Sequence, residues 1–404
     1  MDAAAEPKFR WYRPTPDRLI LGLLAVELLL LLLDWQGWFP SYGYRGWGVL
    51  TAIAVVGLTL PVLPIWFLAS LVFRWRFQYG IRSLLLLGVV VAVACSWLAT
   101  EMQRATRQRD SAAGLEANGG MVSYQIGPRA TWGRLWRGNS GWLGDRLGED
   151  FFATAVEAYA PGDVAAQYLG GLSHVKRLGL NSPAITDTAL MNLSGLGRVE
   201  SLNLRTSAVT DAGLPHLRAL GRLRDLLLSQ TCVSDAGLVH LRGLGRLRTL
   251  DLSGTNFTDA GLRDLEHLPQ LQDLQINDTK LSDAGIEGLV RLPRLESLGL
   301  CRTQVTDAGL ARLGDFSRLR ELYLAEINVT DAGVRHLQRL RHLEVLFLTG
   351  TKLTDAGLVS LEGLDRLTRL VLVDTAVTKK GVKKLQRALP HCAIDCSREL
   401  DEQL

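Results

Sequence analysis

The chain is 404 residues long, with 45 Lys and Arg against 41 Asp and Glu, a formal net charge of +4 and a mean hydropathy of +0.12. That length exceeds one ordinary core and asks for several units or a repeat array, and so small a charge excess gives no footing for nucleic-acid binding. The apolar fraction of 47% points to membrane segments, while five cysteines in no zinc or disulfide spacing exclude both of those frameworks.

Three long apolar stretches occupy the first hundred residues, at about 19–39, 48–73 and 81–100. A helix needs roughly 20 apolar residues to cross a bilayer, so residues 1–100 read as a membrane domain of three transmembrane helices. Pro61 and Pro64 kink or tilt the second. Aromatic residues crowd the ends as interfacial belts, among them Trp11, Tyr12, Trp35, Trp38, Trp47 and Trp75. Cationic residues favour the N-terminal arm (Lys8, Arg10, Arg13, Arg18) and the second loop (Arg74, Arg76, Arg82) over the first, which has Arg45. The positive-inside rule then places the N-terminus in the cytoplasm and everything past Thr100 outside; Arg104, Arg107 and Arg109 pull the other way. Glu27, inside the first stretch, is a protonated or helix-paired residue of an anchor, or a functional carboxylate.

Residues 101–150 form a connector and cap. Residues 101–118 are polar, Ala- and Arg-rich and free of Pro, so they continue the third helix until Gly119-Gly120 stops it; Met121 to Ile126 suits a short strand. Trp132, Trp136 and Trp142 sit in what reads as the N-terminal cap of the following array, with a second membrane-surface contact as the alternative.

From 151 to 398 the chain repeats every 24 residues, about ten times, before an acidic tail at 399–404. The marker Thr/Ser-Asp-Ala-Gly-Leu starts at Thr210, Ser234, Thr258, Ser282, Thr306, Thr330 and Thr354, with degenerate copies at Thr186 and Thr378, on one lattice without insertion. Leu247, Leu250 and Leu252 are spaced for a short strand; Leu262, Leu265 and Leu268 return every three residues, as one helical face does. One such unit cannot bury both faces, and stacked units can. In the marker, the hydroxyl caps a helix, Asp suits the positive end of its dipole, and Gly213, Gly237 and Gly261 let neighbouring backbones approach. A Thr beyond each strand (Thr231, Thr255, Thr279, Thr303, Thr351, Thr375) is expected to satisfy turn groups from repeat to repeat. Ten strands fit, from near Val175 to near Ile394, with a divergent one at 151–156 before them. Cys396 falls on an inward strand phase and is expected in the core.

The unit L-x-x-L-x-L, a turn and a short helix resembles the leucine-rich repeat, of the cysteine-containing type associated with F-box proteins, although the regular cysteine of that type is absent. Bacterial, planctomycete-type proteins that place such repeats after an N-terminal membrane region are similar over nearly the whole chain. The matching segments are Arg13-Pro-Thr-Pro-Asp-Arg18, Phe73-Arg-Trp-Arg-Phe-Gln78, Ile81-Arg-Ser-Leu84, Gly119-Gly-Met-Val-Ser-Tyr124 and Leu147-Gly-Glu-Asp-Phe-Phe152. The resemblance implies a curved α/β solenoid, parallel strands on its concave face and short helices on its convex face, and protein binding.

No phosphate loop, nucleophile elbow or His-Glu-x-x-His string occurs. His216, His240 and His336 share a phase on the convex helices and read as solvated; the Asp ladder from Asp187 to Asp355 reads as helix starts rather than a calcium site. Neither catalysis, a cofactor nor a metal is expected. Lys379, Lys380, Lys383, Lys384 and Arg387 on the last helix read as a solvated capping face in preference to an anion patch. The partner surface is placed on the concave strands, where Asp251, Asp273 and Gln275 give way to exposed Tyr323, Val345, Phe347, Val371 and Val373. The expectation is a non-enzymatic, membrane-anchored scaffold binding a protein or peptide there and a lipid bilayer through its N-terminal helices. The alternative is a receptor signalling occupancy through those helices.

Overall fold

The computed structural model describes residues 81–126 and 153–396. The apolar stretches at 19–39 and 48–73, the Trp-rich segment at 130–150 and the tail at 399–404 lie outside the described residues. Those described form two compact units, 81–109 with 125–126 and 153–154, and 110–124 with 155–396.

The first element is a 37-residue helix, Ile81–Ala117. Its apolar run, Ser83–Leu98, falls short of the roughly 20 residues a crossing needs, and from Glu101 onward it is rich in charge. Among the described residues no helix is long and apolar enough to cross a membrane. The helix ends at a glycine pair. Gly119 adopts φ +80°, and the Gly120 N–H returns to the Leu115 carbonyl at 2.9 Å, a left-handed stop that costs glycine nothing. Ala112 and Leu115 near its end are buried in the same core as the repeats, so residues 110–124 cover the open start of the array.

Twelve strands make one sheet in chain order. They are β1 (Met121–Ile126), β2 (Ala153–Tyr159), β3 (Arg177–Gly179), β4 (Ser201–Asn203), β5 (Asp225–Leu227), β6 (Thr249–Asp251), β7 (Asp273–Gln275), β8 (Ser297–Gly299), β9 (Glu321–Tyr323), β10 (Val345–Phe347), β11 (Arg369–Val371) and β12 (Ala393–Asp395). From β2 to β12 each strand pairs in parallel with the next. The register steps by one repeat, so Leu202, Leu226, Leu250, Leu274, Leu298, Leu322, Leu346 and Leu370 stack side by side, each at 0% exposure. Parallel neighbours need a crossover connection. Here a short α- or 3-10 helix supplies it and buries its own leucines, such as Leu262 and Leu265, with Leu268 just after it, against the strand leucines.

Polar ladders lock the repeats together. At Ser234, Ser282, Thr306, Thr330 and Thr354 the marker hydroxyl caps the helix as expected, accepting the N–H two residues on at 3.2–3.4 Å. Thr210 and Thr258 make the same bond at 3.2–3.3 Å but cap no helix, because the helices there begin later, at Leu214 and Leu262. The Asp does more than face a dipole. Each carboxylate accepts both the N–H and the O–H of the marker Thr or Ser of the next repeat, at 2.7–2.9 Å and 2.5–2.6 Å. Asp163 with Thr186 and Asp355 with Thr378 extend the ladder at either end. This corrects the reading of the glycines. A Cβ at Gly213, Gly237 or Gly261 would collide with the carboxylate of the preceding repeat, so what approaches there is a side chain, not a backbone.

The second Thr series is also corrected. Each hydroxyl donates within its own repeat, to the carbonyl three residues back, at 2.6–2.8 Å. One residue before each, the chain takes a left-handed turn with φ between +54° and +68°, by Gly254 and Gly350 and otherwise by Gln230, Asp278, Arg302 and Asp374; Thr206 before Ser207 and Glu326 before Ile327 turn in the same way. Cys396 is exposed, since among the described residues no strand follows β12 to cover it; Cys392 is the buried thiol.

Candidate functional site

Between the buried leucines, each strand turns two side chains to the concave face. Strand pairing sorts them into rows. One runs Asp225, Thr249, Asp273, Ser297, Glu321, Val345, Arg369; the other runs Leu227, Asp251, Gln275, Gly299, Tyr323, Phe347, Val371. All of the concave residues expected from the sequence fall on these rows or, for Val373, just past β11.

The late repeats hold an apolar cluster. The Tyr323 and Phe347 rings lie 5.0 Å apart at 40°, and the Arg369 guanidinium stands 5.3 Å from the centre of the Phe347 ring. Both geometries are favourable for a ring quadrupole. The Tyr323 hydroxyl donates to Glu321 at 3.0 Å. Burial, and then that carboxylate, push its phenol up to about 12. The expectation of exposed side chains is corrected here: Tyr323, Val345, Phe347 and Val373 are half-buried, and Val371 is only 6% exposed. Neighbouring strands stand about 4.8 Å apart, which is close enough for adjacent side chains to cover one another.

The middle repeats hold a polar mesh. Asp251 is 5% exposed and bound by Arg205 at 2.7 Å, so its charge is already matched within the chain. Gln275 donates to Asp273 at 2.7 Å and to Ser297 at 3.3 Å, and Asn277 donates to Gln275 at 3.2 Å. Gly299 makes room for this mesh, since a Cβ there would collide with Gln275 Oε1. Burial pushes the Asp273 carboxyl above its ordinary value, against the bonds from Gln275 and Ser297 that lower it; the charges of Glu321 and Asp251 add to the rise. Burial likewise raises the Cys301 thiol, whose sulfur accepts the Ala325 N–H at 3.4 Å.

Leu227, Ser297, Gly299, Cys301, Glu321 and Arg369 share this surface and were not picked out by the sequence reading. The 24-residue lattice carried the signal: Glu321 stands one repeat after Ser297, and Arg369 one repeat after Val345. On the convex side, a groove of about 770 Å³ beside the last helix, Lys379–Ala388, is lined by its lysines and by Glu362, which pairs with Lys384 at 3.0 Å. Among the described residues no group of three or more His, Cys, Asp or Glu could hold a metal ion.

A family profile described as Leucine Rich repeat matches residues 247–265 and 339–361. Each segment covers one strand and the helix after it, so these two repeats match the leucine-rich repeat. A search of curated proteins finds no match. Among solved structures, the internalin inlF of Listeria monocytogenes is similar at 22% identity and a TM-score of 0.45, over 59% of this chain and 71% of that one. Internalin C2 of the same organism is similar at 26% identity and a TM-score of 0.41, over 51% and 83%. A plant peptide hormone receptor, RGFR1 in complex with RGF2, is similar at 18% identity and a TM-score of 0.37, over 57% and 37%.

Proposed function

We propose that this leucine-rich-repeat chain is a non-enzymatic scaffold, held at a cell membrane by its first hundred residues, whose concave face docks a protein or peptide. The observation that carries the docking surface is the Tyr323–Phe347 pair under Arg369, flanked by Val345 and Val373. Aromatic and aliphatic side chains on adjacent strands of an open sheet face offer contact area that a partner would dehydrate. The anchoring rests on sequence: the apolar stretches at 19–39 and 48–73, the aromatic residues at their ends, and the resemblance to bacterial membrane-anchored repeat proteins. The cationic N-terminal arm supports a cytoplasmic N-terminus.

Cross-linking and pull-down in the native membrane, with the parent chain and a Tyr323→Ala/Phe347→Ala variant, tests the docking surface. The variant is expected to lose the cross-linked partner. Its melting temperature should fall by only a few degrees, since such a ring pair contributes about 0.5–1.5 kcal/mol. Unchanged capture refutes the surface, and a collapse in melting temperature makes these rings core. Alkaline extraction of membranes tests the anchor, and protease access in intact cells tests the sidedness. Release into the soluble fraction refutes the first; digestion of the N-terminal arm from outside refutes the second.

A further inference from the structure

The concave face carries a charge pattern with a period of its own. On β5 to β9, one row reads Asp225, Thr249, Asp273, Ser297, Glu321. Every second strand offers a carboxylate, and short hydroxyl side chains lie between. Other acids on this face are matched: Glu157 pairs with Arg177, and Asp251 with Arg205. Among the described residues no Lys, Arg or His forms an ion pair with Asp225, Asp273 or Glu321, whose side chains are all half-buried. Asp273 and Glu321 take neutral donors, Gln275 and Tyr323. Burial and like charge hold the Asp273 carboxyl above its usual range. Such a row, half out of water and without counterions, favours an incoming cation.

The spacing selects the shape of what brings the cations. Strands about 4.8 Å apart place these carboxylates about 9.6 Å apart. A polyproline-type chain rises about 3.1 Å per residue and returns to the same side after three, at about 9.3 Å. A β-extended chain returns at about 6.7 Å, and one helical turn at about 5.4 Å. Two strands beyond Glu321 the pattern changes sign, because Arg369 takes the row position on β11 beside Val371 and Phe347. A fourth cation would be repelled there, and an apolar side chain would be covered.

We propose that the concave sheet takes a polyproline-type segment of a partner protein, laid across the strands, with basic side chains at every third position over Asp225, Asp273 and Glu321 and an apolar one over Phe347 and Val371. The proposal rests on the reading that partners dock on this face. Fluorescence anisotropy with the full chain and three labelled peptides tests it: one with Lys at every third position followed by Leu, one of the same composition with the lysines adjacent, and one with Gln for Lys.

The periodic peptide is expected to bind at least about tenfold more tightly than the other two. Asp225→Asn, Asp273→Asn and Glu321→Gln are each expected to weaken it by about fivefold, with an unchanged circular dichroism spectrum. Equal binding of the periodic and adjacent-lysine peptides overturns the register. Binding that ignores all three substitutions overturns the site. If the Gln peptide binds as tightly as the Lys peptide and only Phe347→Ala abolishes binding, docking on this face stands and the cation register falls. If no peptide binds and Tyr323→Ala/Phe347→Ala leaves partner capture intact, both fall together.

Discussion

Replacing Asp283 with Ala removes three hydrogen bonds at once. Its carboxylate takes the Thr306 N–H at 2.7 Å, the Thr306 O–H at 2.6 Å and the Gly309 N–H at 3.0 Å, all from the next repeat. A hydrogen bond to a charged group contributes about 1.5–3 kcal/mol where water is excluded. Asp283 is half-buried, so water replaces part of what is lost. The expected cost is about 2–4 kcal/mol, concentrated at one inter-repeat interface of a nearest-neighbour array. Urea unfolding followed by circular dichroism measures it, and a cycle with Thr306→Ala should give a coupling of about 1–2 kcal/mol. Had the carboxylate acted only on the dipole of its own helix, the loss would be about 0.3–1 kcal/mol. A loss in that range, with additive single variants, refutes the ladder.

The same unfolding assay checks four further expectations. Gly309→Ala places a Cβ against Asp283 Oδ1 and 2.8 Å from Val305 Cγ1, and should cost about 1–3 kcal/mol, less in the Asp283→Ala background. Gly350→Ala, at φ +68°, should cost about 1 kcal/mol, and Gly350→Asn less. Thr279→Val strips the donor from the Ile276 carbonyl at a site 7% exposed, for a loss of about 1–2 kcal/mol. Hydrogen bonds from the Thr378 side chain and backbone hold the Asp355 carboxyl below its ordinary value of 3.8. A depressed carboxyl stabilises the fold above the unfolded value and loses that contribution as pH falls through the folded one. Stability should therefore fall on acidification below about pH 4, with a shallower slope in Asp355→Ala; identical slopes would contradict the assignment.

The architecture of the repeats was open to reading from residues alone because it is periodic. A leucine pattern with two spacings, returning every 24 residues, leaves stacked strand–helix units as the packing that buries both faces. The capping hydroxyls followed for the same reason: a helix start is a local problem, solved by the nearest side chain. The concave residues Tyr323, Phe347, Asp273 and Gln275 also followed, since alternation along a strand is local.

What lay beyond a local reading were the contacts made across repeats. Nothing in Thr-Asp-Ala-Gly distinguishes an Asp that faces its own helix from one that holds the next, and only the stacking distance placed Asp283 against Thr306 and Gly309. The same holds on the concave face. Whether an acid is free or matched depends on which strand the arginines reach, and Arg205 crosses two strands to Asp251 while, among the described residues, no cationic side chain pairs with Asp225, Asp273 or Glu321. Cys396 shows the limit at the last described strand: its strand phase was inward, but burial needs a following repeat, and among the described residues none follows β12. Periodicity sets which side chains share a face, and long-range packing decides which of them remain available to a partner.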